Sequence, residues 1–487
     1  MEPRFAELKN RLAEIHDLRR AQELLFWDQT VMMPPGGSVV RGAQVSTLDK
    51  IAHEKFIADE TGRLLDALAG YEQQLDYDSD EASLIRTARR DWEKARRVPA
   101  ELAAEITGAA VEGHDVWAKA REENDYELFL PHLRRAVELK RRYVDCFEGY
   151  DEPYDVLLDD YEPGMKTAEV RAVFDDLKAE LVPLIAEVSS SDVEDGFMAG
   201  PWPVEAQHAY SLKVIEAFGF DSSFGRLDLT VHPFAASSGT QDIRLTTRYK
   251  EDDITSIFTA MHECGHGLYE HGVSQTLERT PLCSGVSSAL HESQSRMWEN
   301  IVGRSRPFWN HFYPSFQQAF PEALGDVDQE RFYRAINRVK PSYIRVDADE
   351  ATYNLHIILR FELEQEIMAG TIDLEDLPGV WNARFEEYLG IPVPNDTLGV
   401  LQDVHWSGGG FGYFPTYSLG NIISVQIWEK ALSEIPDLPE QFEQGEFGQL
   451  HDWVRTNLYA HGRKFTPQET LERVAGGPID AAPYVRY

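Results

Sequence analysis

Ile254-Thr255-Ser256-Ile257-Phe258-Thr259-Ala260-Met261-His262-Glu263-Cys264-Gly265-His266-Gly267-Leu268-Tyr269 is the stretch on which the reading of this chain turns. Apolar residues fall at 254, 257, 258, 261, 264 and 268, which is one face of a helix. His262 and His266 are four apart, so their imidazoles project from the same side one turn apart. Two neutral imidazoles in that geometry can chelate one zinc ion. Glu263 lies beside them and can reach water at the ion.

These residue types serve a definite chemistry. Zinc lowers the pKa of water to about 7, and a nearby carboxylate can take the water proton and pass it to a leaving amine. A catalytic zinc keeps three protein ligands and an open position, so a third ligand is required. Leu290-His291-Glu292-Ser293-Gln294 offers one, far enough along the chain for a turn and a return on an antiparallel helix. Glu292 would complete a His2Glu set. His291 is the competing candidate, but adjacent helical positions point about 100° apart, so one of the two faces the ion. A bare H-E-x-x-H also falls by chance on solvated helix faces. The amphipathic helix around it and the suitably spaced glutamate favour the metal site.

Working outward, Phe5, Leu8, Leu12, Ile15, Leu18 and Leu25 predict an amphipathic helix that Pro34-Pro35-Gly36-Gly37 ends. Helical patterning fills much of the first two hundred residues, up to an acidic Gly/Pro-containing loop near Ser189–Pro203. Leu227–Tyr249 carries β-branched and aromatic residues around Ser237-Ser238-Gly239 and predicts a small hairpin or sheet. Helical spacing returns from Asp252 to about Gly303 and from Asp347 to Gly370, and Ser407–Gly412 is a glycine-rich interruption. The expectation is a mainly α chain with a minor strand element, one helical body over residues 1–487 with no internal boundary.

Composition narrows the partners. With 47 Lys+Arg against 83 Asp+Glu the net charge is −36, spread along the chain, which disfavours nucleic acid and anionic lipid. The same excess suits a salt-rich cytosol, where repulsion is screened and hydrated carboxylates keep a protein soluble. Cys146, Cys264 and Cys283 form no C-x-x-C pair and no disulfide framework, and Cys264 and Cys283 read as packing residues. The start Met1-Glu2-Pro3-Arg4 lacks a signal-peptide apolar run, and no stretch approaches a membrane span, so the expected location is cytoplasmic.

Several separated motifs then resemble the carboxypeptidase Taq family of metallocarboxypeptidases. His232-Pro233-Phe234 matches H-P-F, and Asp242-Ile243-Arg244-Leu245-Thr246 matches D-x-R-x-T. The His262–His266 pentapeptide and His291-Glu292-Ser293-Gln294 follow. Ile344-Arg345-Val346-Asp347-Ala348-Asp349 matches I-R-x-x-A-D, and Gly399–Trp406 matches G-x-x-Q-D-x-H-W. Trp27-Asp28-Gln29 with Met32-Met33-Pro34 looks like the family's N-terminal region, so the resemblance spans nearly the whole chain.

The resemblance implies a mainly helical fold with a deep active-site groove and gluzincin-type active-site helices. It also implies a divalent metal (zinc or cobalt), a homodimer, and broad release of C-terminal residues other than proline from peptides with a free carboxylate. Carried over, His262, His266 and Glu292 look like metal ligands, Glu263 the general base and acid, and Arg345 the anchor for the terminal carboxylate. Chemistry agrees on Arg345, because a guanidinium is always charged and pairs bidentately with a carboxylate. Asp347-x-x-Glu350 reads as a helix start just after it. Arg244 is the competing anchor, on a strand whose Asp242 and Thr246 share its side. His405 and Tyr417 are candidate donors for the tetrahedral intermediate, the glycines before Tyr417 could let backbone approach substrate, and His232 either lines the groove or bonds a carbonyl. The carboxylate partners of the metal histidines are not readable: Arg296 stands where some gluzincins have an Asp four residues after the ligand glutamate. Two other readings differ in what they require. An endopeptidase or oligopeptidase with the same metal core has no use for the Arg345 anchor. A non-catalytic helical scaffold with a relic site would be expected to have lost one of the four metal-site residues, and all four are present.

Overall fold

Pro3 opens the first helix, where its missing N–H costs nothing, and Glu2 caps it by accepting from the Arg4 N–H. This helix runs Pro3–Val31, and its stripe Phe5, Leu8, Leu12 and Ile15 is buried with Ala52, Phe56, Leu65, Leu68, Leu84 and Ile85 of the next helices. Each such side chain contributes roughly 1.5–3 kcal/mol when fully buried. The Pro34–Gly37 break forms a 3-10 turn over Pro35–Gly37, after which Ser38–Ile57 is helical. In this computed structural model every residue except Met1 and Asp192 is described. The loop near Ser189–Pro203 carries a 3-10 turn at Gly196–Ala199, and its Asp192 lies outside the described residues.

The protein is mostly helical, with one three-stranded sheet among the described residues. Strands β1 (Gly225–Leu229), β2 (Ala235–Gly239) and β3 (Asp242–Thr247) lie in the order β1-β3-β2. The expected hairpin is the antiparallel pair β2–β3, with an irregularity between Ser237 and Gly239. β1 adds to the far edge of β3 in parallel, Leu227 beside Leu245.

The residues fall into two compact units: Met1–Arg96, Glu194–Ile336 and Ser424–Gly477 in the first, Arg97–Val193, Asn337–Ile423 and Pro478–Tyr487 in the second. In the first, the helix Thr255–Gly272, called here the histidine helix, lies on the sheet and beside the glutamate helix, Ser288–Arg296. Two glycines permit this. A Cβ on Gly267 would come within 3 Å of Leu245 and Ile243, and one on Gly265 would stand 2.5 Å from the Gln294 carbonyl oxygen and 2.6 Å from Ser295 Cα.

The second unit is built around the helix Glu350–Ala369, buried nearly all round as its Leu, Ile and Phe content requires. Phe361 meets Phe174 and Tyr154 edge to face. The helix start differs from the Asp347 reading: Arg345–Asp347 is a 3-10 turn, and Asp349 is the cap, its Oδ1 accepting from the Ala351 and Thr352 N–H groups. Asp349 wins because it lies where its carboxylate meets two otherwise unpaired helix N–H groups.

Candidate functional site

On the histidine helix, Ile257, Phe258, Met261, Cys264 and Leu268 are buried, and His262 and His266 come to the half-buried side. His262 Nδ1 lies 2.8 Å from Glu299 Oε2. A carboxylate accepts only, so this nitrogen carries a proton, and in the neutral ring Nε2 keeps its lone pair. His262 Nε2 and His266 Nε2 stand 3.6 and 3.4 Å from the same oxygen of Glu292. Two ligands about 2.1 Å from one ion at the tetrahedral angle would stand about 3.4 Å apart. The three donors all lie within 4.8 Å of one another, so they fit a single divalent cation. Their chemistry, two imidazoles and a carboxylate, agrees.

The groups behind the ligands are ordered. Arg296 Nε donates to Glu292 Oε1 at 2.7 Å and Ser295 Oγ to Oε2 at 3.0 Å. Burial acts to raise the Glu292 carboxyl, but Arg296 and the two histidines hold it well below the usual range. Glu299 opens onto His262 from the π-helical turn Met297–Val302 that continues the glutamate helix. Arg296 also reaches it, at 3.3 Å. Burial first, then the neighbouring Glu292 and Glu299, lifts the Glu263 carboxyl to about 7 against the pull of His262. That is where a general base works best at neutral pH.

In the same unit, Thr246 Oγ1 accepts from the Phe234 N–H and donates to the Phe234 carbonyl, fastening the H-P-F segment to β3. Arg244 pairs bidentately with Asp242, at 3.0 and 3.2 Å, and lies 4.2 Å over the Trp27 ring. His232 is exposed just before β2.

A second centre forms in the other unit. Arg345, 6% exposed, gives Nε and Nη2 to the two oxygens of Asp403 at 2.7 and 3.0 Å and Nη1 to the Tyr353 hydroxyl at 2.8 Å. Its backbone N–H goes to Gln402 Oε1. Each terminal nitrogen keeps a second N–H, the pair that meets a carboxylate end-on. His405 Nδ1 is 3.4 Å from Asp403, and His405 Nε2 is 3.4 Å from the Tyr417 hydroxyl. Burial lowers His405 below its ordinary value despite Asp403. Behind Asp403 lies Arg360, fully buried between the Trp406 and Phe414 rings at 4.0 and 4.2 Å, with Asp403 at 3.9 Å and Glu364 at 3.6 Å.

The model of the family described as carboxypeptidase Taq (M32) metallopeptidase matches residues 7–487. The chain belongs to that family. The thermostable carboxypeptidase 1 of Thermus thermophilus is 41% identical over 476 residues, covering 95% of this chain and 93% of the relative. Carboxypeptidase 1 of Bacillus subtilis is 35% identical, over 100% and 97%. The crystal structure of the M32 carboxypeptidase from Deinococcus radiodurans is similar at TM-score 0.97 and 40% identity, over 100% and 98%. The activity of the carboxypeptidase Taq family is metal-dependent hydrolysis at the C-terminal end of peptides.

Within this carboxypeptidase Taq chain, the structure brings together His262, Glu263, His266 and Glu292 in one unit, and Arg345, His405 and Tyr417 in the other. His291 is corrected as a ligand candidate: its Nδ1 faces His266 Nδ1 at 2.6 Å, on the side away from Glu292, because its ring leaves the helix about 100° from its neighbour's side chain. The Gly412 reading is corrected too. Its positive φ and missing Cβ let its backbone lie against the Leu157 backbone, and its N–H goes to Glu364. Sequence reasoning missed Glu299 and Asp403. Glu299 stands two helical turns after Glu292, a readable signal, whereas Asp403 was legible only as part of a motif.

Proposed function

We propose that this chain is a zinc carboxypeptidase of broad specificity, with cobalt as the alternative ion. His262, His266 and Glu292 hold the metal, which when bound supplies Lewis acidity toward a peptide carbonyl and lowers the pKa of water. The observation that carries the reading is the pair of imidazole Nε2 atoms set on one Glu292 oxygen at ligand spacing. Glu263 takes the proton of the attacking water and returns it to the leaving amine. Arg345 receives the terminal carboxylate through its two uncommitted N–H groups, already oriented by Asp403 and Tyr353. His405 and Tyr417 donate to substrate oxygens near Arg345, and Arg244 and His232 line the path of the peptide.

Three companion readings go with it. The family match from 7 to 487 supports one functional domain. Family resemblance supports a homodimer acting on free peptides. The charge of −36 supports a salt-adapted cytoplasmic enzyme, whose stability and solubility would fall when salt is removed. Among the described residues no helix is long and apolar enough to cross a membrane.

Peptide digestion followed by mass spectrometry tests the core. Matched free-acid and C-terminally amidated peptides are incubated at high salt with and without chelator. Single-residue losses from the free-acid peptide alone, abolished by chelator, are expected. Internal cuts in both peptides would replace this reading with an endopeptidase, and no cleavage after metal is restored would favour a relic site.

A further inference from the structure

His291 lies outside the ligand set, yet it is held on several sides. A Cβ on Gly285 would stand 2.5 Å from its Cδ2, and the Tyr269 ring lies over it at 5.0 Å. Its Nε2 is 3.1 Å from Glu270 Oε1, and its Nδ1 is 2.6 Å from His266 Nδ1. Glu270 Oε1 also accepts the Gly285 N–H at 3.0 Å and the Ser284 hydroxyl at 3.3 Å. Arg20 of the first helix faces Glu270 Oε2 at 3.5 Å and is itself fixed by the Ser237 and Cys283 carbonyls.

The direction of the protons along this chain can be read from its far end. The Gly285 amide donates only, and burial, which acts to raise the Glu270 carboxyl, is outweighed by the His291 hydrogen bond, Arg20 and that amide, which hold it at about 2. Glu270 is therefore an acceptor, so His291 carries its proton on Nε2. When the His291 ring is neutral its Nδ1 is bare, so of the two facing Nδ1 atoms His266 is the donor, and His266 Nε2 is left unprotonated on the side of Glu292.

We propose that His291 and Glu270, backed by Arg20, are positioning residues that set the tautomer and ring orientation of His266 and so the metal affinity of the site. The inference rests on the metal-site reading above. His262 is set by one carboxylate, Glu299, whereas His266 is set through an intervening imidazole. The arrangement makes the polarity of His266 depend on a carboxylate that does not touch it.

The test is a competition titration of the metal-free full chain with Zn2+ alone against a chromophoric chelator, with thermal melts to report folding. His291→Phe keeps the ring and removes the acceptor, and zinc affinity should fall about 10–100-fold. His291→Asn puts an amide oxygen near the old Nδ1 position and should restore most of the affinity. Wild-type affinity in His291→Phe would overturn the proposal. So would equal weakening in both variants, which would make the effect one of packing. Should His291→Phe fail to fold, Glu270→Gln carries the test. Its amide can donate to His291 and free the opposite tautomer, so weaker zinc binding supports the proposal and unchanged binding overturns it. A wild-type chain that takes up no zinc would instead bring down the ligand assignment itself.

Discussion

The two centres present charge in opposite ways. In the first unit, protons are tied up at the back so that lone pairs are bare at the front: Glu299 and His291 take the Nδ1 protons of His262 and His266. In the second, an anion is tied up at the back so that N–H groups are bare at the front. Asp403 holds Arg345 and is itself backed by Arg360, which is backed by Glu364. The first arrangement suits a cation and the second a carboxylate, as the proposed roles require. In both, the group proposed to meet the ligand is fixed by a half-buried partner of opposite hydrogen-bonding sense. Such alternation lowers the cost of placing charge out of water.

The largest effect is expected at Glu263, the proposed base. Glu263→Gln leaves every metal ligand in place, so metal content by elemental analysis should stay near wild type while kcat falls by about 10²–10⁴-fold. Next comes Arg345→Ala, expected to lower kcat/KM for free-acid peptides by roughly 10–100-fold, the worth of one or two charged hydrogen bonds, again with metal retained. If this variant lost metal instead, the separation of roles between the two centres would be wrong.

Stability tests sharpen the contrast. Arg360→Met strips Asp403 of its rear cation and leaves the buried Glu364 carboxylate without one, so denaturant melts should show a loss of about 3–5 kcal/mol. Gly265→Ala should cost about 1–3 kcal/mol by overpacking and also weaken zinc binding, because the added methyl pushes the glutamate helix away from the histidines. A variant that binds zinc normally would mean the two helices have slack.

The smallest effect concerns pH. Burial acts to raise Asp403, but Arg345, His405 and Arg360 hold it well below the usual carboxylate range. A depressed folded value means its stabilisation is complete above the unfolded pKa, about 3.9, and fades as pH falls through the lower folded value. The stability gap between wild type and Asp403→Asn should therefore be flat from pH 8 to 5 and shrink only in stronger acid. A gap that closed near pH 6 would mean that Asp403 is not held down by its cations.

What the sequence determined by itself follows from local periodicity and residue chemistry. The helix carrying His262, Glu263 and His266 was legible because a four-residue spacing places side chains on one face whatever surrounds the helix. The N-terminal helix and its end at Pro34-Pro35 were legible for the same kind of reason. Tertiary structure alone decided the rest. That β1 joins β3 in parallel, that His291 turns to His266 and Glu270, and that Asp403 reaches Arg345 depends on contacts between residues far apart in the chain. No period in the sequence encodes such pairings. Gly265 illustrates the boundary: its place in the motif was visible, but its purpose is the 2.5 Å a Cβ would leave to the Gln294 carbonyl, and that distance exists only once two helices have packed.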